Sequence, residues 1–183
     1  QSAHDELQKG GIEVFTATCD ITQPADVQKL VDAVTAHYGR IDVLVNNAGV
    51  LQVGPMESME RGDYKAALDV MFWGAFDVTQ AVLPAMRARK SGRIVNIISI
   101  AGAVPMPHLA PYNCAKTAAL GFSRSLHYEV AKDGVAVTTV LPGLMRTGTI
   151  FGVTARGHVR AEWAIFAVTG SLPGLTLRAA DAA

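Results

Sequence analysis

Four short apolar runs, each ending on polar or glycine residues and each joined to the next by a helical pattern, constrain the fold of this 183-residue chain more than any other feature. They are Ile12–Cys19, ending at Asp20; Ile41–Val45, ending at Asn46-Asn47-Ala48-Gly49; Ile94–Ile98, ending at Ser99; and Val135–Leu141, ending at Pro142-Gly143. The first is rich in β-formers, and the other three are mostly apolar, as strands buried on both faces are. After Asp20, Thr22-Gln23-Pro24 is a helix-start signal. Val27, Leu30, Val31, Val34 and Tyr38 then keep one apolar face at helical spacing until Gly39. Longer helical segments are expected from about Ser58 to Arg89 and from about Tyr112 to Lys132, the second stopped by Asp133-Gly134.

Strands alternating with helices of this length form βαβ units. The expected fold is therefore α/β: one domain over residues 1–183, with a doubly wound, Rossmann-like parallel sheet between two helical layers. Residues 144–175 read as an irregular, partly helical lobe, and Arg178–Ala183 as the opening of another helix. In such sheets ligands bind outside the carboxyl ends of the strands, and all four run ends lie there.

Composition removes several functions. Sixteen Lys and Arg balance sixteen Asp and Glu, so no basic surplus favours nucleic acid or a membrane surface. The most apolar stretch, Ala66–Met86, is interrupted by Asp69 and Asp77, which argues against a membrane span. Cys19 and Cys114 are far apart and lack the spacing of a zinc site, so two free thiols and no metal are expected. The polar start, Gln1–Gly11, has no apolar block of a signal peptide, and a cytoplasmic location is expected.

Tyr112 and Lys116, four residues apart at the head of a helix, share one face. A phenol is a poor acid–base group at neutral pH, and an ammonium one turn away favours its ionised form. Packing of the tyrosine and solvation of the lysine is the competing reading. Ser99, thirteen residues before Tyr112, can hold a substrate oxygen against the phenol, or simply start a turn. The small residues of 46–49 admit a ligand close to the backbone, or make a structural turn. Asp20 can accept a bond from a ligand amino group or cap the following helix.

Together these pieces are more specific. Asp-Ile-Thr at 20–22, Asn-Asn-Ala-Gly at 46–49, Ser99, Tyr112 and Lys116, and Pro-Gly-x-x-x-Thr at 142–147 occur in order. The set closely resembles the short-chain dehydrogenase/reductase family, in its classical branch, over about residues 5–150. The resemblance implies an NAD- or NADP-dependent oxidoreductase acting between a carbonyl and a secondary alcohol. It implies that Tyr112 exchanges the proton, that Lys116 tunes Tyr112 and binds the nicotinamide ribose, and that Ser99 orients the carbonyl. Asn46, Asn47, Ala48 and Gly49 would line the adenosine side, Asp20 and Ile21 would meet the adenine, and Pro142, Gly143, Met145 and Thr147 would lie near the carboxamide. Substrate-facing candidates are Val104, Met106, His108, Leu109, Leu144, Phe151 and Trp163. Most are apolar, which suits a hydrophobic alcohol or ketone. A homodimer or homotetramer through the two long helices is implied as well.

The chain departs from the family pattern twice. Met71 stands where the family usually has a catalytic Asn, so a water is expected to reach Lys116 through backbone carbonyls or another side chain. The opening strand, its Thr-Gly-x-x-x-Gly-x-Gly turn and the last strand are not in the sequence. A gap is therefore expected in the sheet between Ile12–Cys19 and Ile41–Val45, and the natural polypeptide is expected to be longer. The competing functions are a non-catalytic nucleotide-binding scaffold on the same fold, and an epimerase or dehydratase using the same Tyr/Lys pair.

Overall fold

The structure, a computed structural model, describes residues 14–143 and the backbone of His158–Ala161 and Phe166–Val168. Helix α1 (Pro24–Tyr38) begins on a proline, whose missing N–H costs nothing in a first turn. It buries Val27, Val31 and Val34. It ends where the Gly39 N–H bonds the Thr35 carbonyl at 2.8 Å, with φ of 82° at Gly39, a conformation glycine adopts without strain. Strand β1 (Val43–Asn46) follows, then a short β2 (Gly49–Gln52). Helix α2 (Arg61–Leu68) opens with a capping box in which Glu60 and Asp63 satisfy each other's backbone N–H groups. One π-helical turn (Asp69–Trp73) joins it to α3 (Gly74–Ala88). Strand β3 (Gly92–Ile97), helix α4 (Ala110–Val130) and strand β4 (Val135–Val140) complete the order.

Strands β4, β3 and β1 are adjacent and parallel, with Leu44 beside Ile94 and Ile94 beside Val137. This is the parallel α/β sheet expected from the sequence. One core joins it to the helices: Leu44, Ile94, Val135 and Val137 pack with Val27 and Val31 of α1, Val78, Leu83 and Met86 of α3, and Leu126 and Val130 of α4. By length and composition Arg61–Ala88 could cross a membrane, but its Val78, Leu83 and Met86 belong to this core.

Three expectations are corrected. Val14–Cys19 forms no strand. A lone β-rich run has no partner for its backbone groups, and this one is pinned to the end of α1 instead. The Phe15 N–H donates to the Tyr38 hydroxyl at 2.9 Å, and the Phe15 ring stacks on His37. Next, the edge of β1 is not open: β6 (Phe166–Val168) pairs with it antiparallel, Val45 beside Phe166. Finally, the described parts of 144–175 are strands, β5 (His158–Ala161) pairing with β2 and β6 with β1.

Gly134 stands immediately before β4. Its φ is 73°, and a Cβ there would stand 2.3 Å from the Lys90 carbonyl oxygen. Both the left-handed backbone and the collision with main chain oppose any side chain. Gly134→Ala is expected to destabilise the fold by about 2–4 kcal/mol, read from the midpoint of urea unfolding at unchanged m-value.

Candidate active site

The carboxyl ends of the parallel strands are held level by polar side chains. Asn46, Asn96 and Thr139 stand side by side in register on β1, β3 and β4. Asn46 Nδ2 donates to Asn96 Oδ1 at 2.8 Å and to Thr79 Oγ1 of α3 at 3.2 Å. Asn96 Nδ2 donates to Ser123 Oγ of α4 at 2.8 Å, and Ser123 and Thr139 share a hydrogen bond of 2.7 Å. Buried amides and hydroxyls in such a chain fix one register, because any slip strands several polar groups at once. Asn96, Ser123, Thr79 and Thr139 escaped the sequence reading. The only signal was an asparagine inside an apolar run.

Above this row, β3 ends and Ser99 caps a short 3-10 turn (Ile100–Gly102), its Oγ accepting the Ala101 N–H at 3.1 Å. Ser99 thus starts a turn, as one reading had it. Because Oγ accepts there, its own proton remains free to be donated to a ligand oxygen. The turn is tied to β4 by the Ile100 N–H on the Pro142 carbonyl at 3.0 Å. It is tied to α4 by Thr117 Oγ1 on the Gly102 carbonyl at 3.1 Å. A Cβ on Gly102 would lie 2.9 Å from the Lys116 carbonyl oxygen, so only glycine lets the turn seat against the helical turn that carries Lys116.

Lys116 is buried at 6% exposure, and its Nζ donates to the Ile97 carbonyl at 2.9 Å. That bond places the lysine head two residues before Ser99. The same Nζ lies 5.7 Å from the centre of the Tyr112 ring. Tyr112 is half-buried against Ala67, Met71 and Ala115. Burial pulls the Lys116 ammonium down from 10.5 to about 8, since low-dielectric surroundings disfavour its charged form. It therefore stays mostly protonated at neutral pH and loses its proton just above.

Lys116 opens onto a narrow cleft lined also by Ile21, Asn46, Ala48, Met71 and Phe122. Met71 belongs to the π-helical turn, where the sequence suggested one uninterrupted helix. Such turns recur at functional sites because the extra residue re-aims its neighbours. The Met71 Sδ packs 3.7 Å from the point where a Cβ on Gly49 would stand. The residue expected to replace the family's Asn thus fills space at the cleft wall and brings no polar group there.

Of the other expected positions, Ile21, Asn46 and Ala48 meet Lys116 in the cleft. Asn47 and Gly49 are half-buried beside it in sequence. Asp20 lies on the exposed approach to α1, its Oδ1 accepting from the Thr22 N–H at 3.0 Å and hydroxyl at 2.8 Å. The residue at the N-cap itself is Gln23. Burial, with Asp26 and Asp20 adding to it, pushes the Cys19 thiol up, which keeps it protonated and inert. Val104, Met106, His108 and Leu109 form the loop between Ser99 and Tyr112. Leu144, Met145, Thr147, Phe151 and Trp163 lie outside the described residues.

A family profile described as short chain dehydrogenase matches residues 1–155. Oxidoreductase UcpA of Escherichia coli K12 is 39% identical over 144 residues, covering 78% of this chain and 55% of that protein. The 3-oxoacyl-[acyl-carrier-protein] reductase of Synechocystis is 36% identical over 142 residues, covering 78% of this chain and 58% of that protein. Among solved structures, an NAD+-bound xylitol dehydrogenase superposes with a TM-score of 0.77 at 31% identity, covering 81% of this chain and 57% of that one. A short-chain dehydrogenase from Streptomyces avermitilis gives 0.74 at 35% identity, covering 79% and 54%. The chain thus spans little more than half the length of these relatives.

Proposed function

This chain belongs to the short-chain dehydrogenase family, and from that premise we propose that it forms the catalytic part of an NAD- or NADP-dependent oxidoreductase that interconverts a ketone and a secondary alcohol. The observation that carries the reading is a buried Lys116 ammonium that stands 5.7 Å from the Tyr112 ring and bonds the Ile97 carbonyl, two residues before Ser99. A scaffold has no use for an ammonium buried beside a phenol.

The lining of the cleft is chemically suited to contacts with a nicotinamide dinucleotide. Ala48 keeps one wall low, Lys116 offers a donor, and Asn46 carries a buried Oδ1 that accepts no hydrogen bond among the described residues. The cofactor, when bound, supplies or takes the hydride. Tyr112 gives the substrate oxygen its proton in reduction and removes it in oxidation. Lys116, whose Nζ lies 5.7 Å from the Tyr112 ring, serves as a donor to a ribose hydroxyl. Ser99 donates its free proton to the same substrate oxygen and so fixes the carbonyl in place. Lys116 has the Ile97 carbonyl as its backbone partner, so a water could reach it without a side chain at position 71.

The apolar substrate, the cytoplasmic setting and assembly as a homodimer or homotetramer complete the proposal. Supporting the last, Phe72 and Trp73 of the π-helical turn, Phe76 of α3 and Phe122 of α4 form a row of ring contacts, with Trp73 half-exposed. Fluorescence titration of the full-length protein with NADH and NADPH tests the reading. Saturable binding of one, followed by its oxidation with acetoacetyl-N-acetylcysteamine or an apolar ketone, is expected. Binding of neither would remove the proposal.

A further inference from the structure

The loop from Ala103 to Leu109 bridges the two halves of the site, leaving the Ser99 turn and entering the helix of Tyr112. Most of it faces solvent, Val104 being 61% exposed. It holds no regular structure, and His108 adopts a left-handed φ of 63°, a conformation a β-carbon opposes. A loop of that kind keeps one shape only if tethers hold it.

Two of its tethers come from one residue. The Asn113 side chain donates from Nδ2 to the Met106 carbonyl at 2.8 Å, and its backbone N–H donates to the Leu109 carbonyl at 2.8 Å. A third runs from the Gly54 N–H to the His108 carbonyl at 3.0 Å. Asn113 is buried at 9% exposure, and its Oδ1 accepts no hydrogen bond among the described residues. The amide orientation is fixed by that bond, since the flipped form would set oxygen against the Met106 carbonyl. A buried amide with an unsatisfied acceptor is costly, and an apolar residue would fill the place more cheaply if packing were its whole task.

We propose that Asn113 is a positioning residue for the substrate: it holds the Met106 stretch against the helix that carries Tyr112 and so shapes the side of the site facing the carbonyl compound, not the nicotinamide. This rests on the oxidoreductase reading above. The residue touches no reacting atom in the proposal. It is next in sequence to the phenol and acts through the loop, no residue of which lines the cleft of Asn46 and Ile21.

The test compares Asn113→Ala and Asn113→Asp with the parent in the full-length protein. The aspartate keeps the shape but loses the donor, which separates the hydrogen bond from the space it fills. Amide hydrogen exchange over 103–109 is expected to quicken about tenfold in both variants, while the core strands stay protected. KM for acetoacetyl-N-acetylcysteamine is expected to rise about tenfold with the nicotinamide Kd unchanged. Unchanged loop exchange overturns the tether. A loosened loop with unchanged KM overturns the positioning role, as does a parallel loss of nicotinamide affinity and thermal stability. A parent protein that binds neither nicotinamide sinks the oxidoreductase reading instead, and loop exchange then still decides whether Asn113 is the tether.

Discussion

Tyr112→Phe is expected to lower the rate of ketone reduction by about 10²–10⁴-fold, the usual worth of a positioned proton donor. The change removes one hydroxyl and little else. The ring stays packed on Ala67, Met71 and Ala115, so urea unfolding is expected to move by less than about 1 kcal/mol. Lys116 and the cleft residues are untouched, so the nicotinamide Kd is expected to hold. Single-turnover mixing of the full-length protein, preloaded with its preferred reduced nicotinamide, against acetoacetyl-N-acetylcysteamine isolates the chemical step from product release. A variant within tenfold of the parent would show that water or another group delivers the proton, and the role of Tyr112 would reduce to packing. The effect is expected to be large because Tyr112 is the proton donor in the proposal and Ser99 only holds the substrate oxygen.

The parallel core was legible because its strands are buried on both faces, and a run such as Ile94–Ile98 has no other stable place. The nearness of Tyr112 and Lys116 was legible from their four-residue spacing, though spacing could not say that Lys116 reaches the Ile97 carbonyl. What stayed hidden depended on partners distant in sequence. Val14–Cys19 has the composition of a strand, yet a strand exists only against a neighbour, and this segment found Tyr38 and His37. Likewise the capture of the β1 edge by Phe166–Val168 follows from an unfilled edge and not from any pattern in those three residues. The π-helical turn at Asp69–Trp73 has no proline or glycine inside it to announce it. Asn96 reads as a flaw in an apolar run until Asn46, Ser123 and Thr139 are placed around it, which only tertiary structure does.

Lys116→Met is expected to abolish activity and to make the ligand-free protein more stable at neutral pH. The lysine is buried where charge is disfavoured, and its folded pKa of about 8 lies below the ordinary 10.5. Between those values the unfolded chain binds a proton that the folded one does not, so stability rises with pH through the window and is lowest below it. A difference of this size amounts to about 3 kcal/mol withheld from the fold at pH 7. The bond from Nζ to the Ile97 carbonyl is lost in the variant, which returns roughly 1 kcal/mol. Methionine has similar length and suits the apolar walls, so a net gain of about 1–2 kcal/mol is expected, or a Tm several degrees higher. The parent should stabilise as pH climbs from about 8 towards 10.5, and the variant should lack that rise over the same window. Thermal unfolding of both proteins across pH 7 to about 10.5, in one series of buffers matched in ionic strength, reads the two slopes directly. If the variant is less stable than the parent at pH 7, or keeps the same rise, Lys116 is not the group that the fold holds at its own expense, and the case that its burial serves chemistry loses its footing. If stability and activity move in opposite directions as expected, the fold is maintaining a costly ammonium for chemistry and not for its own stability.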